Sequence, residues 1–150
     1  MTILLDIKEF ELVIVKIKLM ENGKKPEYKR HGDVCLDCCA RENVSLKHGE
    51  RKLVPLGFAL ELPPELEAVI RPRSGNSKNG IDIATGTIDT NYRGEVMACV
   101  INNSGNDFLI EIGDRICQIA IREAPTVMFE VVDKLSETER GSNGFGSSGK

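Results

Sequence analysis

The segment Gly86-Thr-Ile-Asp-Thr-Asn-Tyr-Arg-Gly-Glu-Val96 has a pattern of short apolar segments on either side of a turn, which recurs along this chain. Thr87 and Ile88 have the character of a strand, Asp89 to Gly94 that of a tight turn, and 95–102 that of the next strand, which predicts a β-hairpin. Asp, Asn and Gly are ordinary turn residues, so a plain surface turn remains open. The turn also carries a carboxylate, an aromatic ring and a guanidinium, and a turn fixed by two strands suits side chains that must be held in place.

The same pattern of short apolar segments and turns continues through most of the chain. Turns recur about every ten residues, and Gly and Pro mark nearly all of them. Only 74–79 has the character of a helical turn. The spacing predicts an all-β fold, a jelly-roll-like sandwich or barrel with one short helix, in a single domain of residues 1–139. The predicted strands are 11–20, 34–40, 51–60, 68–72, 81–84, 87–89, 95–102, 108–112, 115–122 and 127–132, with 51–60 a bent or bulged edge strand.

Residues 140–150 differ abruptly in composition, because Gly and Ser dominate them. Such a segment cannot pack a core of its own, which predicts a flexible arm. A disordered terminus or a linker is the plain alternative. Arg140 and Phe145 favour a lid, since a cation and an aromatic ring suit closure over a phosphate and a ring.

Composition limits the classes of function. The chain has 150 residues, of which 41% are hydrophobic and 29% charged, as in a single globular domain. A net charge of -3 and a pI near 5.5 argue against a general polynucleotide binder, while a small anionic ligand is compatible with these values. No apolar run approaches the ~20 residues that span a bilayer, and the acidic start is unlike a signal peptide. We therefore expect a cytoplasmic protein, in the host cell if the source is a phage or virus, with no membrane partner.

The cysteines indicate reduced thiols, because nothing in the chain suggests secretion. Cys35 and Cys38 have the spacing of half a zinc site, but no second pair of ligands follows and His31 and His48 lack ligand spacing. Buried or half-buried thiols are therefore favoured over structural zinc. The five cysteines are Cys35, Cys38, Cys39, Cys99 and Cys117.

Three further segments could carry chemistry. Arg71–Gly75 places a guanidinium, a hydroxyl and backbone N–H groups at a strand-to-helix junction, which suits either an anion site or an exposed turn with a capping serine. In Gly113–Gln118 we expect Asp114 and Arg115 to form a surface pair and the glutamine to lie on a polar face. Asp37 stands inside an apolar strand and needs a partner if it is buried.

Five segments, in this order along the chain, resemble the motifs of the trimeric dUTP pyrophosphatases (dUTPases). The first departs from the family pattern, which has Gly and an aromatic residue where Cys35 and Leu36 stand. Asn91 occupies a position that is usually Asp. The five segments are Val34-Cys-Leu-Asp-Cys-Cys-Ala40, Pro72-Arg-Ser-Gly75, Gly86-Thr-Ile-Asp-Thr-Asn-Tyr-Arg-Gly94, Gly113-Asp-Arg-Ile-Cys-Gln118 and Arg140-Gly-Ser-Asn-Gly-Phe-Gly-Ser-Ser-Gly149.

The resemblance implies hydrolysis of dUTP to dUMP and pyrophosphate, which limits uracil incorporation into DNA and supplies dUMP for dTMP synthesis. It assigns Asp89 to activate the water that attacks the α-phosphorus. Tyr92 would pack under the deoxyribose and exclude a 2′-OH. The uracil would be read by the backbone around Gly86 and Ile88, and Phe145 would cover it.

The resemblance also implies phosphate ligands and a cofactor. Mg²⁺ would be held by the three substrate phosphates with no direct protein ligand, while Asp37 would lie near the phosphate-binding arginine or a water of the metal. A homotrimer is implied, in which each site is built from three chains, with dUTP rather than a nucleic-acid polymer as the partner. The implied phosphate ligands are Arg73, Ser74, Gly75, Gln118, Arg140, Ser147 and Ser148.

Two alternatives remain at this stage. The related dCTP deaminases use a Glu where this chain has Cys99 and an Arg where it has Lys78, so the deaminase proton shuttle is missing. A regulatory protein that keeps a dUTPase body is the other alternative, with the loop 21–30 as its contact surface. Arg93 and Glu95 are expected to be structural, pairing at an interface.

Overall fold

The computed structural model describes residues 12–143, which form antiparallel strands around one apolar core. The strands are β1 (Lys16–Leu19), β2 (Leu36–Cys39), β3 (Val44–Leu46), β4 (Arg51–Pro55), β5 (Phe58–Glu61), β6 (Leu66–Pro72), β7 (Ile81–Ala84), β8 (Gly86–Ile88), β9 (Met97–Asn102), β10 (Phe108–Ile110) and β11 (Arg115–Glu123). The helix of this part of the chain is α1 (Ser74–Lys78). The predicted all-β class and the short helix are therefore confirmed.

The strands pair in four small sheets. The order β2-β11-β6-β8 makes the largest sheet, β4-β9-β7 the next, and β1-β5 and β3-β10 form separate pairs. Alternate side chains of these strands meet in the core, as expected for strands buried on one face. The largest fully buried side chains include Phe58, Leu46, Leu56, Ile70, Ile110 and Ile119.

The predicted hairpin over 86–102 is wrong. β8 pairs with β6, whereas β9 pairs with β4 and β7, so the two segments belong to different sheets. The alternation of apolar residues identifies each segment as a strand, but it does not identify the strand's partner. Residues 89–96 are thus a turn between sheets, which we call the β8–β9 turn.

The strand predicted at 127–132 is also wrong. Residues 124–139 belong to no strand, and their large apolar side chains are exposed, with Phe129 90% and Val131 96% accessible. The alternation of Val127, Phe129 and Val131 is typical of a strand, but the described part of this chain gives it no sheet to join.

The segment 51–60 forms two strands rather than one bent strand. It divides at Gly57, whose φ is +75°, the left-handed conformation that favours glycine. β4 is an edge strand of its sheet, as predicted. Within residues 12–143, no helix is long and apolar enough to cross a membrane.

Candidate active site

Four of the seven phosphate ligands that the resemblance implies line one pocket of about 500 Å³, which we call the basic pocket. β2 supplies Asp37, the end of β6 leads into Arg73 and α1, and β11 supplies Gln118. Register explains why they meet, because Gln118 lies opposite both Asp37 on β2 and Arg71 on β6. The basic pocket is lined by Lys29, Arg30, Asp33, Val34, Cys35, Asp37, Arg73, Ser74, Gly75, Arg115 and Gln118.

Asp37 is the centre of this pocket. Its Oδ1 accepts a hydrogen bond from Arg73 Nε at 2.9 Å, and its Oδ2 accepts one from Arg115 Nη1 at 3.0 Å. The carboxylate side chain is only 13% exposed, so two guanidinium groups compensate the cost of its burial. The expectation that Asp37 needs a partner is confirmed.

Arg73 keeps hydrogen-bond donors beyond those used in the described part of the chain. It donates one N–H to each of Asp37 Oδ1, Asp37 Oδ2 and the Arg115 carbonyl, of the five N–H groups that a guanidinium carries. Gln118 Nε2 donates to the Pro72 carbonyl at 2.8 Å, which fixes the amide at the pocket wall.

The charge of the basic pocket is opposite in sign to that of the chain. Its cations outnumber its carboxylates by four to two, in a chain whose net charge is -3. A concave site with such a local excess of positive charge attracts anions. The four cations are Lys29, Arg30, Arg73 and Arg115, and the two carboxylates are Asp33 and Asp37.

Arg115 is a site residue that sequence reasoning missed. The predicted surface pair of Asp114 and Arg115 is wrong, since Arg115 bonds Asp37 while Asp114 Oδ2 accepts the Glu111 N–H at 2.9 Å. No local pattern indicates this contact, because Arg115 and Asp37 are 78 positions apart in the sequence. The capping role for Ser74 is wrong as well, because Arg73 is the N-cap of α1 and no described side chain caps this helix.

The β8–β9 turn forms a second, smaller pocket of about 210 Å³, which we call the turn pocket. Asp89 is exposed, and its carbonyl accepts the Tyr92 N–H at 3.1 Å, which closes the turn. The Tyr92 hydroxyl donates to the Glu95 carbonyl at 3.0 Å. The turn pocket is lined by Ile70, Gly86, Thr87, Ile88, Asp89, Tyr92, Glu95, Val96 and Met97.

The site residues that the resemblance implies are divided between two pockets in the described part of the chain. The basic pocket and the turn pocket share no lining residue among 12–143. Arg140 lines neither of them and bonds the Asn143 carbonyl at 3.0 Å. Phe145, Ser147 and Ser148 lie outside the described residues.

All five cysteines lie in the described part of the chain, and their thiols are free. Cys38 and Cys117 are fully buried and lie opposite each other on β2 and β11, whereas Cys35 lines the basic pocket. The hydrogen bond with Cys117 and burial together hold the pKa of the Cys38 thiol above its ordinary range. Among residues 12–143, no three His, Cys, Asp or Glu side chains are grouped to hold a metal ion.

Comparisons with known proteins agree on one family. The family model for dUTPase matches residues 21–149. The deoxyuridine 5′-triphosphate nucleotidohydrolase of Rickettsia felis is 45% identical over 142 residues, which covers 90% of this chain and 96% of the relative. The enzyme of the same name from Clostridium tetani is 41% identical, covering 91% and 97%. The structure of the Staphylococcus bacteriophage 80alpha dUTPase with dUpNHpp has a TM-score of 0.86 and 27% identity, covering 91% of this chain and 99% of that one.

Proposed function

This chain belongs to the dUTPase family, and from that membership we propose that it hydrolyses dUTP to dUMP and pyrophosphate in the cytoplasm. The product dUMP would feed dTMP synthesis, and removal of dUTP would limit uracil in DNA. The observation that carries the proposal is the basic pocket, in which Asp37 holds two arginines beside Gln118 at the start of α1.

We assign the triphosphate to the basic pocket. Arg73 and Gln118 present fixed donors, and Ser74 and Gly75 open α1, where the first backbone N–H groups have no carbonyl partner within the helix. Positioning and neutralising charge are the main tasks in phosphoryl transfer. Arg140, Ser147 and Ser148 of the arm 140–150 would add donors on closure, and Phe145 would cover the uracil.

Mg²⁺ fits this pocket if the substrate phosphates hold it. Asp37 is the carboxylate that contacts the phosphate-binding arginine, and both of its oxygens already accept guanidinium hydrogen bonds. A lone pair of Oδ1 is left to reach a water of the metal. Bound there, Mg²⁺ would neutralise charge on the phosphates.

The turn pocket supplies the residues for the nucleoside and the water. Asp89 is exposed at the turn and would accept a proton from the water that attacks the α-phosphorus. The Tyr92 ring would lie under the deoxyribose, while the backbone around Gly86 and Ile88 would read the uracil edge. A rigid backbone wall excludes larger analogues by shape.

We propose a homotrimer in which the basic pocket of one chain faces the turn pocket of another. Two observations support association between chains. The two pockets share no lining residue within the described part of one chain, and the apolar residues of 127–135 are exposed in a way that soluble monomers avoid. Neighbouring chains would bury those residues, and the arm 140–150 would reach a neighbouring site.

The proposed function is tested by incubating the purified protein and Mg²⁺ with dUTP, dTTP, dCTP and UTP and measuring pyrophosphate release. We expect turnover of dUTP and little of the other three. Absence of release from dUTP contradicts the proposal. Conversion of dCTP to a uracil nucleotide would support a deaminase. Cys99, which stands where the deaminases use a Glu, lies on β9 and lines neither pocket.

A regulatory role is a second candidate, which would coexist with catalysis. The relative from phage 80alpha belongs to dUTPases described as controlling the transfer of virulence genes. The loop 21–30 of this chain is largely exposed and cationic, and it borders the basic pocket through Lys29 and Arg30. A partner that docks there would be expected to respond to nucleotide, which a pull-down with and without dUpNHpp measures.

A further inference from the structure

The β8–β9 turn requires an anchor that a hairpin would not need. In a hairpin, the ladder between the two strands fixes the tip. Here β8 is bonded to β6 and β9 to β4 and β7, so the turn connects two sheets without a ladder of its own. The position of Asp89 and Tyr92 must therefore depend on contacts made by the turn itself.

Glu95 makes those contacts. Its carboxylate is bonded by Arg41 through Nε to Oε1 and through Nη2 to Oε2, the latter at 3.1 Å. The Gly57 N–H donates to Oε1 at 2.9 Å. The side chains of Glu95 and Arg41 are only 19% and 29% exposed, unlike the pair Lys16–Glu61 at 76% and 46%. The hydrogen bond with Glu95 raises the pKa of Arg41 above its ordinary value.

Close packing of the backbone at Gly23 and Gly57 surrounds this ion pair. A Cβ on Gly57 would clash with the Gly23 Cα and would lie 3.0 Å from Arg41 Cβ and Cδ, so a side chain there would displace the guanidinium stem. Val96 N–H donates to the Phe58 carbonyl at 2.8 Å, directly beside Glu95. The groups that bind the Glu95 carboxylate, Arg41 and the Gly57 N–H, are thus held in place by the packing of the fold.

Glu95 in turn fixes Tyr92. The Tyr92 hydroxyl donates to the Glu95 carbonyl, and the ring lies over Gly94, where a Cβ would clash with that hydroxyl oxygen. A shift of the Glu95 backbone would therefore displace the carbonyl that holds the Tyr92 hydroxyl. Arg41 also lies two residues beyond β2, the strand that carries Asp37, so the pair joins the strand of one pocket to the turn of the other.

We propose that Arg41 and Glu95 are positioning residues that hold the Tyr92 ring in place and thereby set the discrimination between 2′-deoxyribose and ribose nucleotides. The inference rests on the proposed dUTP hydrolysis. Arg41 lines neither pocket and Glu95 lies at the wall of the turn pocket, and both act through the place of Tyr92.

The test compares Glu95→Gln with wild-type protein and with Glu50→Gln. Glu50 is a matched control, because its Oε2 also accepts a backbone N–H, from Lys47 at 2.7 Å, and pairs with a cation, Lys52, on an exposed turn. We expect Glu95→Gln to lower the ratio of kcat/KM for dUTP to that for UTP by up to about 100-fold, because a misplacement of about 1 Å can cost that much in rate. Glu50→Gln should leave this ratio unchanged.

A conservative series separates positioning from general stability. Arg41→Lys keeps the charge but not the bidentate fork, so its ratio should lie between those of wild type and Arg41→Met. The double variant Arg41→Met with Glu95→Gln should be no worse than the worse single variant, because both changes remove one interaction. If the variants unfold more easily but retain the wild-type dUTP to UTP ratio, the residues are structural only and the proposal is wrong. If Glu95→Gln does not fold, Arg41→Lys decides in the same way.

Amide hydrogen exchange decides the point without turnover. Exchange should become faster in Glu95→Gln at 89–96 and 55–58 and stay unchanged elsewhere. A uniform increase along the chain, or none, contradicts the anchor. A wild-type protein that releases no pyrophosphate from dUTP overturns the proposed function, whereas an active, selective wild type with unaltered variants overturns only this inference.

Discussion

Asp37→Asn removes the one carboxylate that Arg73 and Arg115 share. The amide keeps the shape of the side chain but leaves two guanidinium groups together without a negative charge. Exposed ion pairs contribute about 0–1 kcal/mol and the breaking of buried ones costs about 3–5 kcal/mol. Asp37 is 13% exposed, Arg73 26% and Arg115 46%, which places this cluster between the two limits. We therefore expect the substitution to cost about 2 kcal/mol of unfolding free energy.

The loss of unfolding free energy in Asp37→Asn should appear as a lower Tm and as a larger response to pyrophosphate. For a chain of this size, about 2 kcal/mol corresponds to a Tm about 4–8 °C lower. Pyrophosphate should raise the Tm of Asp37→Asn more than that of the wild type, because a bound anion replaces the missing charge and stabilises the native state by mass action.

The assay is thermal unfolding at equal chain concentrations, with and without pyrophosphate. The control is Asp107→Asn, an exposed aspartate, for which both shifts should match the wild type. If Asp37→Asn has the wild-type Tm and the wild-type response to pyrophosphate, Asp37 does not neutralise the two arginines, and the account of the basic pocket is refuted.

Three further predictions concern the base, the arm and a buried thiol. Asp89→Asn should still bind dUpNHpp by calorimetry but lose about 10²–10⁴-fold in turnover, and near-normal turnover would assign the base elsewhere. Deletion of residues 140–150 should preserve the fold and the trimer by light scattering while removing most turnover; unchanged activity would contradict a lid. The raised pKa of Cys38 means that the folded chain keeps this proton above pH 9.0, where an unfolded thiol loses it. The protonated Cys38 thiol therefore contributes fully to the free energy of unfolding below that pH. Above it, the free energy of unfolding should fall by about 1.4 kcal/mol per pH unit relative to Cys38→Ala. If the free energies of unfolding of the two proteins change in parallel with pH, this prediction is contradicted.

Local sequence information predicts the residues of the candidate site better than their connections. The junction before α1 is recognisable because it carries its own signal, Arg73 followed by Ser74 and Gly75. Lys29, Arg30 and Arg115 of the basic pocket carry no such signal. The ion pair of Arg41 with Glu95 joins residues 54 positions apart, and no local pattern indicates it. The contact of Arg115 with Asp37 is also long-range, because it depends on the register in which β11 pairs with β2.

The wrong hairpin and the wrong strand have a common physical cause. Alternation reports that a segment can bury one face, but not what it is buried against. For 86–102 the partners are strands of two different sheets. For 127–132 the apolar face remains exposed, and under the proposed trimer its partner belongs to another chain.

The separation of the two pockets has a consequence for genetics. If each working site takes its basic pocket from one chain and its turn pocket from another, a defect belongs to an assembly rather than to a polypeptide. A chain without Asp89 and a chain without Arg73 each retain the half that the other lacks. Expressed together, two inactive alleles would then complement each other in mixed assemblies, whereas two alleles defective in the same pocket would not.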